Sequence, residues 1–217
     1  MDQYKKDFIQ LLLDADALKF GSFTLKSGRE APYFLNAGAF YTGELIHKLG
    51  GFYAEALRAS GMQVDVLFGP AYKGIPLCVI TASEVYSRFG QNVSYTFNRK
   101  AVKNYGDAKG NMLVGAPLSQ ETRVVLVDDV ITAGTAIRET VELLKENGNP
   151  KIEGILIAFN RMEKNNEGVD AVADLQDSLR VPVHAIVNLD EAMEILPEHL
   201  SEEQLEAIAV YREKYGV

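Results

Sequence analysis

Short runs of uninterrupted apolar residues, separated by helical segments, most restrict the fold of this chain. Candidate strands lie at 64–69, 92–98, 123–129, 154–160 and 183–189, and short β-like pieces separated by Gly and Pro lie within 20–38. Strands that are apolar on both faces are typical of a parallel sheet covered by helices on each side. Apolar spacing predicts helices over 2 to about 19, 43–59, 74–89 and 134–146, and a last helix that begins with the capping-box pattern of Ser201 and Gln204. We therefore predict an α/β fold with a mostly parallel central sheet flanked by helices.

Length and composition predict one soluble globular domain over residues 1–217, since 47% of residues are hydrophobic and 24% are charged. No apolar run approaches the roughly 20 residues that a membrane span needs. The opening MDQYKKDFIQ lacks the apolar region of a secretory signal and carries acids that a transit peptide avoids. Cys78 is the single cysteine and allows no internal disulfide. These features favour a reducing, cytoplasmic location without membrane contact.

The charge distribution indicates what the chain binds. A formal net charge of −8 disfavours a nucleic-acid partner, whose binding surface should be basic. Residues 98–109 differ, because they hold four basic residues and one acid: Arg99, Lys100, Lys103, Lys109 and Asp107. A basic segment in an acidic protein predicts a small, strongly anionic ligand. A solvated surface loop is the alternative at this point.

The stretch VVLVDDVITAGTA (124–136) places two acids at the carboxyl end of a candidate strand. Ligands of open parallel sheets bind at that edge. Adjacent strand residues point to opposite faces, so Asp128 and Asp129 cannot do identical work unless the strand has begun to turn. The small residues after them allow backbone N–H groups to bind an anion. Together they predict a site for a phosphorylated sugar, with an N-cap cluster on an ordinary crossover helix as the alternative.

Two other phosphate-binding motifs are excluded by the sequence. It contains no G-x-x-x-x-G-K-[ST] loop, which disfavours a P-loop nucleotide hydrolase. No candidate strand is followed by G-x-G-x-x-G, so dinucleotide binding has no support.

The same stretch resembles the 5-phosphoribosyl-1-pyrophosphate (PRPP) signature of type I phosphoribosyltransferases. Four further segments follow the same order along the chain: FTLKSGREAPYFLNAG (23–38), FGPAYKGIPL (68–77), YTFNRKAVKNYGDAKG (95–110) and AFNRMEK (158–164). Together they resemble the orotate phosphoribosyltransferase family. The resemblance implies the type I fold, with a small N-terminal hood to which residues 1–40 contribute and a mobile lid loop at 99–110.

The resemblance also implies a reaction and its residues. Orotate and PRPP would give orotidine 5′-monophosphate and pyrophosphate in de novo pyrimidine (UMP) synthesis, with Mg²⁺ held mainly by substrate oxygens rather than by protein ligands. The implied catalytic residues are Lys26, Lys100, Lys103, Asp128 and Asp129. The implied PRPP-binding residues are Lys26, Tyr72, Lys73, Arg99, Lys100, Lys103, Tyr105, Asp128, Asp129, Val130, Ile131, Thr132, Ala133, Gly134, Thr135 and Ala136. Those implied for orotate are Lys26, Phe34, Leu35, Thr132 and Arg161.

By resemblance, the lid would reach across a two-fold axis, so a homodimer would be the catalytic unit. A strained or cis peptide is implied between Ala71 and Tyr72. Two residues depart from the family pattern: Tyr105 stands where many relatives have His, and Leu35 where they often have Phe. A phenol supplies no cation near neutral pH, which leaves that role to the lysines.

Several of these residues also fit ordinary structural roles. Tyr72 and Lys73 fit a surface turn, Phe34 fits a core aromatic, and Lys26 fits a surface lysine. Three other functions remain open: a phosphoribosyltransferase for another base, a PRPP-sensing regulator that binds nucleic acid, and a structural module without ligand. A carboxylate clamp at Arg161 disfavours a neutral base, and the acidic chain disfavours the regulator.

Overall fold

The computed structural model describes residues 1–25, 28–101 and 112–217. The strands are β1 (Leu18–Thr24), β2 (Glu30–Leu35), β3 (Val66–Gly69), β4 (Ser94–Asn98), β5 (Leu113–Gly115), β6 (Arg123–Val130), β7 (Lys151–Asn160) and β8 (Val183–Asn188). The α-helices are α1 (Gln3–Asp14), α2 (Gly43–Ser60), α3 (Gly74–Phe89), α4 (Thr135–Glu146), α5 (Ala171–Leu179), α6 (Leu189–Met193) and α7 (Glu202–Tyr215). Short 3₁₀ turns lie at Ala37–Ala39 and Leu196–Glu198.

A six-stranded sheet in the order β5-β4-β3-β6-β7-β8 forms the centre of the molecule. Its pairs are parallel except for β4 with β5, which run antiparallel. The predicted fold class is confirmed: the sheet is mostly parallel, and helices cover both faces. The two central strands, β3 and β6, consequently end side by side at the carboxyl edge.

Two apolar cores lie on opposite faces of the sheet, and β6 contributes to both. Val125 and Val127 pack with α1, α2, α3 and α7, whereas Val124 and Leu126 pack with α4 and α5. All four valine and leucine side chains are fully buried. This alternation explains why the strand reads as a continuous apolar run, and it directs the two following acids to different faces.

The hairpin β1–β2 and the first and last helices lie outside the central sheet. The β1–β2 pair is a separate antiparallel two-stranded sheet, and β2 contacts α7. Helix α1 contacts α2, β8 and the first strand of the hairpin, β1. The hairpin over 18–35 is therefore positioned by the C-terminal helix, close to the end of β7.

The first helix is shorter than predicted. Helix α1 ends at Asp14, not near residue 19, and Asp16 turns the chain with φ +50°. Leu18 is buried at helical spacing, but its backbone pairs with Leu35 in the β1–β2 sheet. Apolar periodicity reports burial, and tertiary pairing assigned this residue to a strand.

Three elements were not predicted: β5, α5 and α6. Helix α5 is capped by Asp170, whose side chain accepts hydrogen bonds from the N–H groups of Val172 and Ala173. Helix α6 begins with a capping box formed by Asn188 and Glu191. The predicted capping box of Ser201 and Gln204 at α7 is confirmed. Within the described ranges, no helix is long and apolar enough to cross a membrane.

Candidate functional site

The site lies at the carboxyl edge of the sheet, where loops follow β3, β6 and β7. A cavity of about 260 Å³ opens there. Its lining comes mainly from two segments, residues 130–137 and 160–166, with Asp128, Leu25, Arg29, Ala171 and Val172 completing the wall. The anion loop (131–134), which was predicted to bind a phosphate, and Arg161, which was predicted to bind the base, thus line the same cavity.

Asp128 and Asp129 hold different positions, as strand alternation predicts. Asp128 lines the cavity, and its Oδ1 accepts the N–H of Asp129 at 2.9 Å. Asp129 is 5% exposed and pairs with Lys73, with 2.8 Å between Oδ2 and Nζ. Tyr53 holds this end of β6 in place, because its hydroxyl donates to the Asp128 carbonyl at 2.8 Å. One carboxylate therefore faces the cavity while the other faces the loop after β3.

Burial raises the pKa of Asp128 to about 7, and the nearby charge of Asp129 adds to the rise. Lys73 opposes it. The protonation state of this carboxyl is therefore sensitive to pH in the neutral range.

Stability should consequently depend on pH through Asp128. From its ordinary pKa of 3.8 up to about 7, the folded chain keeps a proton that the unfolded chain has lost. The free energy of unfolding therefore falls as pH rises through this window. Asp128→Asn cannot ionise, so we expect a flatter pH dependence and a higher stability than the parent at pH 8. Denaturant titrations of both proteins from pH 4 to pH 8 measure this, and parallel curves would contradict it.

The loop over 131–134 joins β6 to α4 and presents small, exposed residues. Thr132, Ala133, Thr135 and Ala136 are all exposed and line the cavity. Gly134 takes φ +69°, and an added Cβ would lie 3.0 Å from Leu175, so a larger residue is disfavoured there. The start of α4 has no side-chain cap and no acid in its first turn. Its N–H groups remain available to an anion in the cavity.

The loop after β3 turns back closely on the last residue of that strand. The peptide bond between Ala71 and Tyr72 is cis, as the resemblance implied. Asn98 at the end of β4 supports the loop by accepting the N–H of Ala71 at 2.8 Å. An added Cβ on Gly69 would overlap the Gly74 carbonyl, so only glycine fits at that position. Lys73 extends from this loop to Asp129.

Two of the basic residues predicted for the lid are described. Lys100 lies beside the loop after β3, with Nζ 5.9 Å from the ring centroid of Tyr72. Tyr72 is 70% exposed. Among the described residues, Nε of Arg99 is buried without a hydrogen-bond partner. Lys103 and Tyr105, like Lys26 in the hood, lie outside the described residues.

Arg161 follows β7 and is 5% exposed. Its guanidinium contacts Glu163 Oε1 through Nε at 2.8 Å and Nη2 at 2.6 Å, and Cζ lies 4.7 Å from the Tyr33 ring centroid. Phe34 does not line the cavity; it stacks on Phe23 with ring centroids 5.7 Å apart. Leu35 is buried in the core, and it does not line the cavity either.

The sequence reasoning did not single out four residues that shape the site: Arg29, Asn98, Tyr53 and Glu163. Arg29 lines the cavity and donates to the carbonyls of Lys164 and Asn165 at 2.7 and 3.0 Å. Arg29, Asn98 and Glu163 stand inside the segments that carry the resemblance, which is the one signal that could have marked them. Tyr53 had no such signal.

The described residues contain no group of three or more His, Cys, Asp or Glu side chains that could hold a metal ion. Mg²⁺ that binds with phosphates commonly takes only one or two protein carboxylates and keeps its waters. Asp128, which lines the cavity, fits that requirement as a single carboxylate. Cys78 is fully buried, and burial raises the pKa of its thiol to about 12, so it stays a neutral thiol.

Comparison with known proteins assigns the class. A family model described as phosphoribosyl transferase domain matches residues 36–177, which is more than half of the chain. This range holds the loop after β3, the two acids, the anion loop and Arg161. The fold and the site therefore define a phosphoribosyltransferase.

Full-length relatives narrow the class. The chain is 47% identical over 216 residues to the orotate phosphoribosyltransferase of Methylococcus capsulatus, covering 100% of this chain and 99% of that protein. It is 47% identical over 218 residues to that of Vibrio parahaemolyticus, with 100% of both covered. A crystal structure of the Francisella tularensis orotate phosphoribosyltransferase matches with a TM-score of 0.85 and 38% identity, covering 97% of this chain and 100% of that one. The chain belongs to the orotate phosphoribosyltransferase family.

Proposed function

We infer that this protein transfers the 5-phosphoribosyl group of PRPP to orotate. The bond between a ring nitrogen of orotate and ribose C1 forms while the bond from C1 to the pyrophosphate oxygen breaks. The products are orotidine 5′-monophosphate and pyrophosphate, in the synthesis of UMP. Similarity to named orotate phosphoribosyltransferases over the whole length of the chain carries this inference.

We propose that the anion loop and the two acids hold the sugar. Backbone N–H groups of residues 131–136 bind the 5′-phosphate, which the open start of α4 supports. Asp128 and Asp129 accept hydrogen bonds from the ribose hydroxyls. A transition state with positive charge on the ribose gains from nearby carboxylates and from a sugar that cannot rotate.

The leaving group needs its charge neutralised. We propose that pyrophosphate is bound by Tyr72 and by three basic residues in or next to the loop after β3: Lys73, Arg99 and Lys100. The partnerless Nε of Arg99 among the described residues supports this, because an anion would satisfy it. Mg²⁺, when bound, supplies further positive charge against the phosphate oxygens. Lys26, Lys103 and Tyr105 are assigned to the same anion by the resemblance alone.

Orotate is a flat ring that bears a carboxylate. We propose that Arg161 binds this carboxylate beside Thr132, since both line the same cavity. The hairpin backbone at Phe34 and Leu35, together with Lys26, completes the base site in this proposal. A base without a carboxylate would leave the arginine unpaired, which would weaken its binding.

We also propose that the protein acts in the cytoplasm as a homodimer in which the lid at 99–110 closes over the partner's site. Closure excludes water and strengthens the ion pairs with pyrophosphate. Exposed large aromatic side chains support a protein interface on this chain, and they are Tyr41, Tyr72, Tyr86 and Tyr95. A single buried cysteine suits a reducing compartment.

The direct test follows the ultraviolet absorbance of orotate after PRPP and Mg²⁺ are added, with pyrophosphate release measured in parallel. We expect both signals to change together. Uracil and hypoxanthine in place of orotate should give at least about a hundredfold lower kcat/KM, since a site built for a polar group discriminates against analogues that lack it. Faster turnover of either neutral base would assign the protein to a different phosphoribosyltransferase activity.

A further inference from the structure

A largely buried polar cluster surrounds the guanidinium of Arg161 at the wall of the cavity. We call it the Glu163 cluster; it consists of Arg161, Glu163, Tyr33 and Tyr211. Oε1 of Glu163 accepts hydrogen bonds from Nε of Arg161 at 2.8 Å and from the hydroxyl of Tyr33 at 3.1 Å, and Nη2 of Arg161 lies 2.6 Å away as an ion-pair contact. The side chain of Glu163 is 14% exposed. A carboxylate with so little water contact is held by the partners on its oxygen.

The cluster restrains the guanidinium of Arg161 from two directions. Glu163 occupies the edge formed by Nε and Nη2, and the Tyr33 ring covers one face at 4.7 Å. Within the described ranges, the structure gives Nη1 no hydrogen-bond partner; Nη2 is buried beside Glu163 as an ion-pair contact only, and Arg161 lines the cavity. A guanidinium held at one edge can present only the opposite side to a ligand.

We propose that Glu163 is the positioning residue for base recognition: it fixes the plane of the Arg161 guanidinium so that Nη1 meets the orotate carboxylate. This rests on the proposed function. Glu163 does not touch the substrate; it acts through Arg161. Because its charge balances that of Arg161, the pair recognises a carboxylate by geometry more than by net charge.

The position of Glu163 is itself set by distant parts of the chain. Its backbone forms an isolated antiparallel bridge with Gly216, after α7, and the next N–H, that of Lys164, donates to the Tyr215 carbonyl at 2.8 Å. Arg29 in the hood donates to the carbonyl of Lys164. Burial raises the pKa of Tyr33 well above its ordinary value, so its hydroxyl keeps the proton that it donates to Glu163. The hood and the last helix therefore both position the base site through this residue.

The cluster offers a matched pair of tyrosines. Tyr33 donates to Glu163, whereas the Tyr211 hydroxyl is buried and lacks a hydrogen-bond partner among the described residues. Burial, together with the charge of Glu163, raises the pKa of Tyr211 to about 12, so this hydroxyl also stays neutral. Removing the first hydroxyl takes away a hydrogen bond to Glu163 at 3.1 Å, whereas removing the second takes away a neighbouring hydroxyl that makes no hydrogen bond of good geometry.

The test is steady-state kinetics on full-length Glu163→Ala, Glu163→Gln, Tyr33→Phe and Tyr211→Phe, varying orotate and PRPP separately. We expect Glu163→Ala to raise the KM for orotate about tenfold, the effect of losing a hydrogen bond to a charged group, and to leave the KM for PRPP within about twofold. Glutamine keeps an acceptor for Nε and Nη2, so Glu163→Gln should restore most of the affinity. Tyr33→Phe should raise the KM for orotate more than Tyr211→Phe, because only the Tyr33 hydroxyl donates to Glu163 with good geometry.

Three results would overturn the proposal: an unchanged KM for orotate in Glu163→Ala, equal rises in both KM values, or a glutamine variant as impaired as the alanine variant. Should Glu163→Ala fail to fold, the two tyrosine variants decide, because equal KM values for orotate exclude positioning through Glu163. An absence of orotate turnover by the folded parent protein is a separate result, which removes the proposed function itself.

Discussion

Asp129→Asn is expected to lower kcat about a hundredfold while the protein stays folded. Asparagine keeps the shape of a side chain that is 5% exposed, but it removes the charge that binds Lys73 at 2.8 Å. The substitution weakens the acceptor for a ribose hydroxyl and releases Lys73 from its position at the same time. Each hydrogen bond to a charged group contributes about 1.5–3 kcal/mol, and about 1.4 kcal/mol corresponds to a tenfold change in rate.

The matched control is Asp65→Asn, at the amino ends of β3 and β6, whereas the site lies at their carboxyl ends. Asp65 precedes β3 and pairs with Arg123 at the start of β6, with 2.6 Å between Oδ1 and Nη2. Hydrogen bonds from Arg123 lower the pKa of Asp65 to about 2. Asp65→Asn therefore also breaks an acid–base pair, yet we expect its kcat to stay within about twofold of the parent value, since it is remote from the cavity. Parent-like kinetics in a folded Asp129→Asn protein would remove the ribose role.

Mixing two inactive variants is expected to restore activity if the lid acts across a dimer. Lys103→Ala removes a cation that the resemblance places in the lid, and Arg161→Ala removes the carboxylate clamp of the subunit's own site. In a mixed dimer one site carries both defects and the other carries neither. Random exchange of equal amounts should give about a quarter of the parental activity, because half of the dimers are mixed and each has one intact site.

This experiment needs a control for folding and for exchange. Arg161→Ala leaves Glu163 buried without its cation, which is destabilising; far-ultraviolet circular dichroism and size measurement of each variant must therefore match the parent. Lys145→Ala, which breaks an exposed pair with Glu142 on α4, serves as the neutral lysine substitution. Activity that stays at the level of the separate variants after subunit exchange would place the lid over its own subunit's site.

The central sheet was predictable because its strands are buried on both faces. The segments 123–129 and 154–160 were predicted as strands and lie within β6 and β7. Helix α3 has the predicted bounds, Gly74–Phe89. The helix prediction failed at Leu18, because apolar spacing predicts burial but not the type of secondary structure. Leu18 is buried at helical spacing, yet it is paired as a strand residue. The three-residue strand β5 carries too little pattern to be recognised.

The site was predictable where one short segment supplies both its backbone and its side chains. The segment 128–136 holds two acids, a loop of small residues and the start of a helix, so its place at the sheet edge follows from the parallel fold. The opposite directions of Asp128 and Asp129 followed from strand alternation alone. The roles of Glu163 and Arg29 had no such signal, because the contacts that place them join residues far apart in the chain: Tyr33 with Glu163, and Arg29 with Lys164.

The sequence by itself therefore determined the parallel α/β fold, the edge where a ligand binds and the family, since periodicity and contiguous motifs act over a few residues. Tertiary structure alone decided which distant groups meet: Lys73 with Asp129, and Tyr33 with both Arg161 and Glu163. Such contacts depend on distances between elements brought together by core packing, and local sequence does not contain those distances.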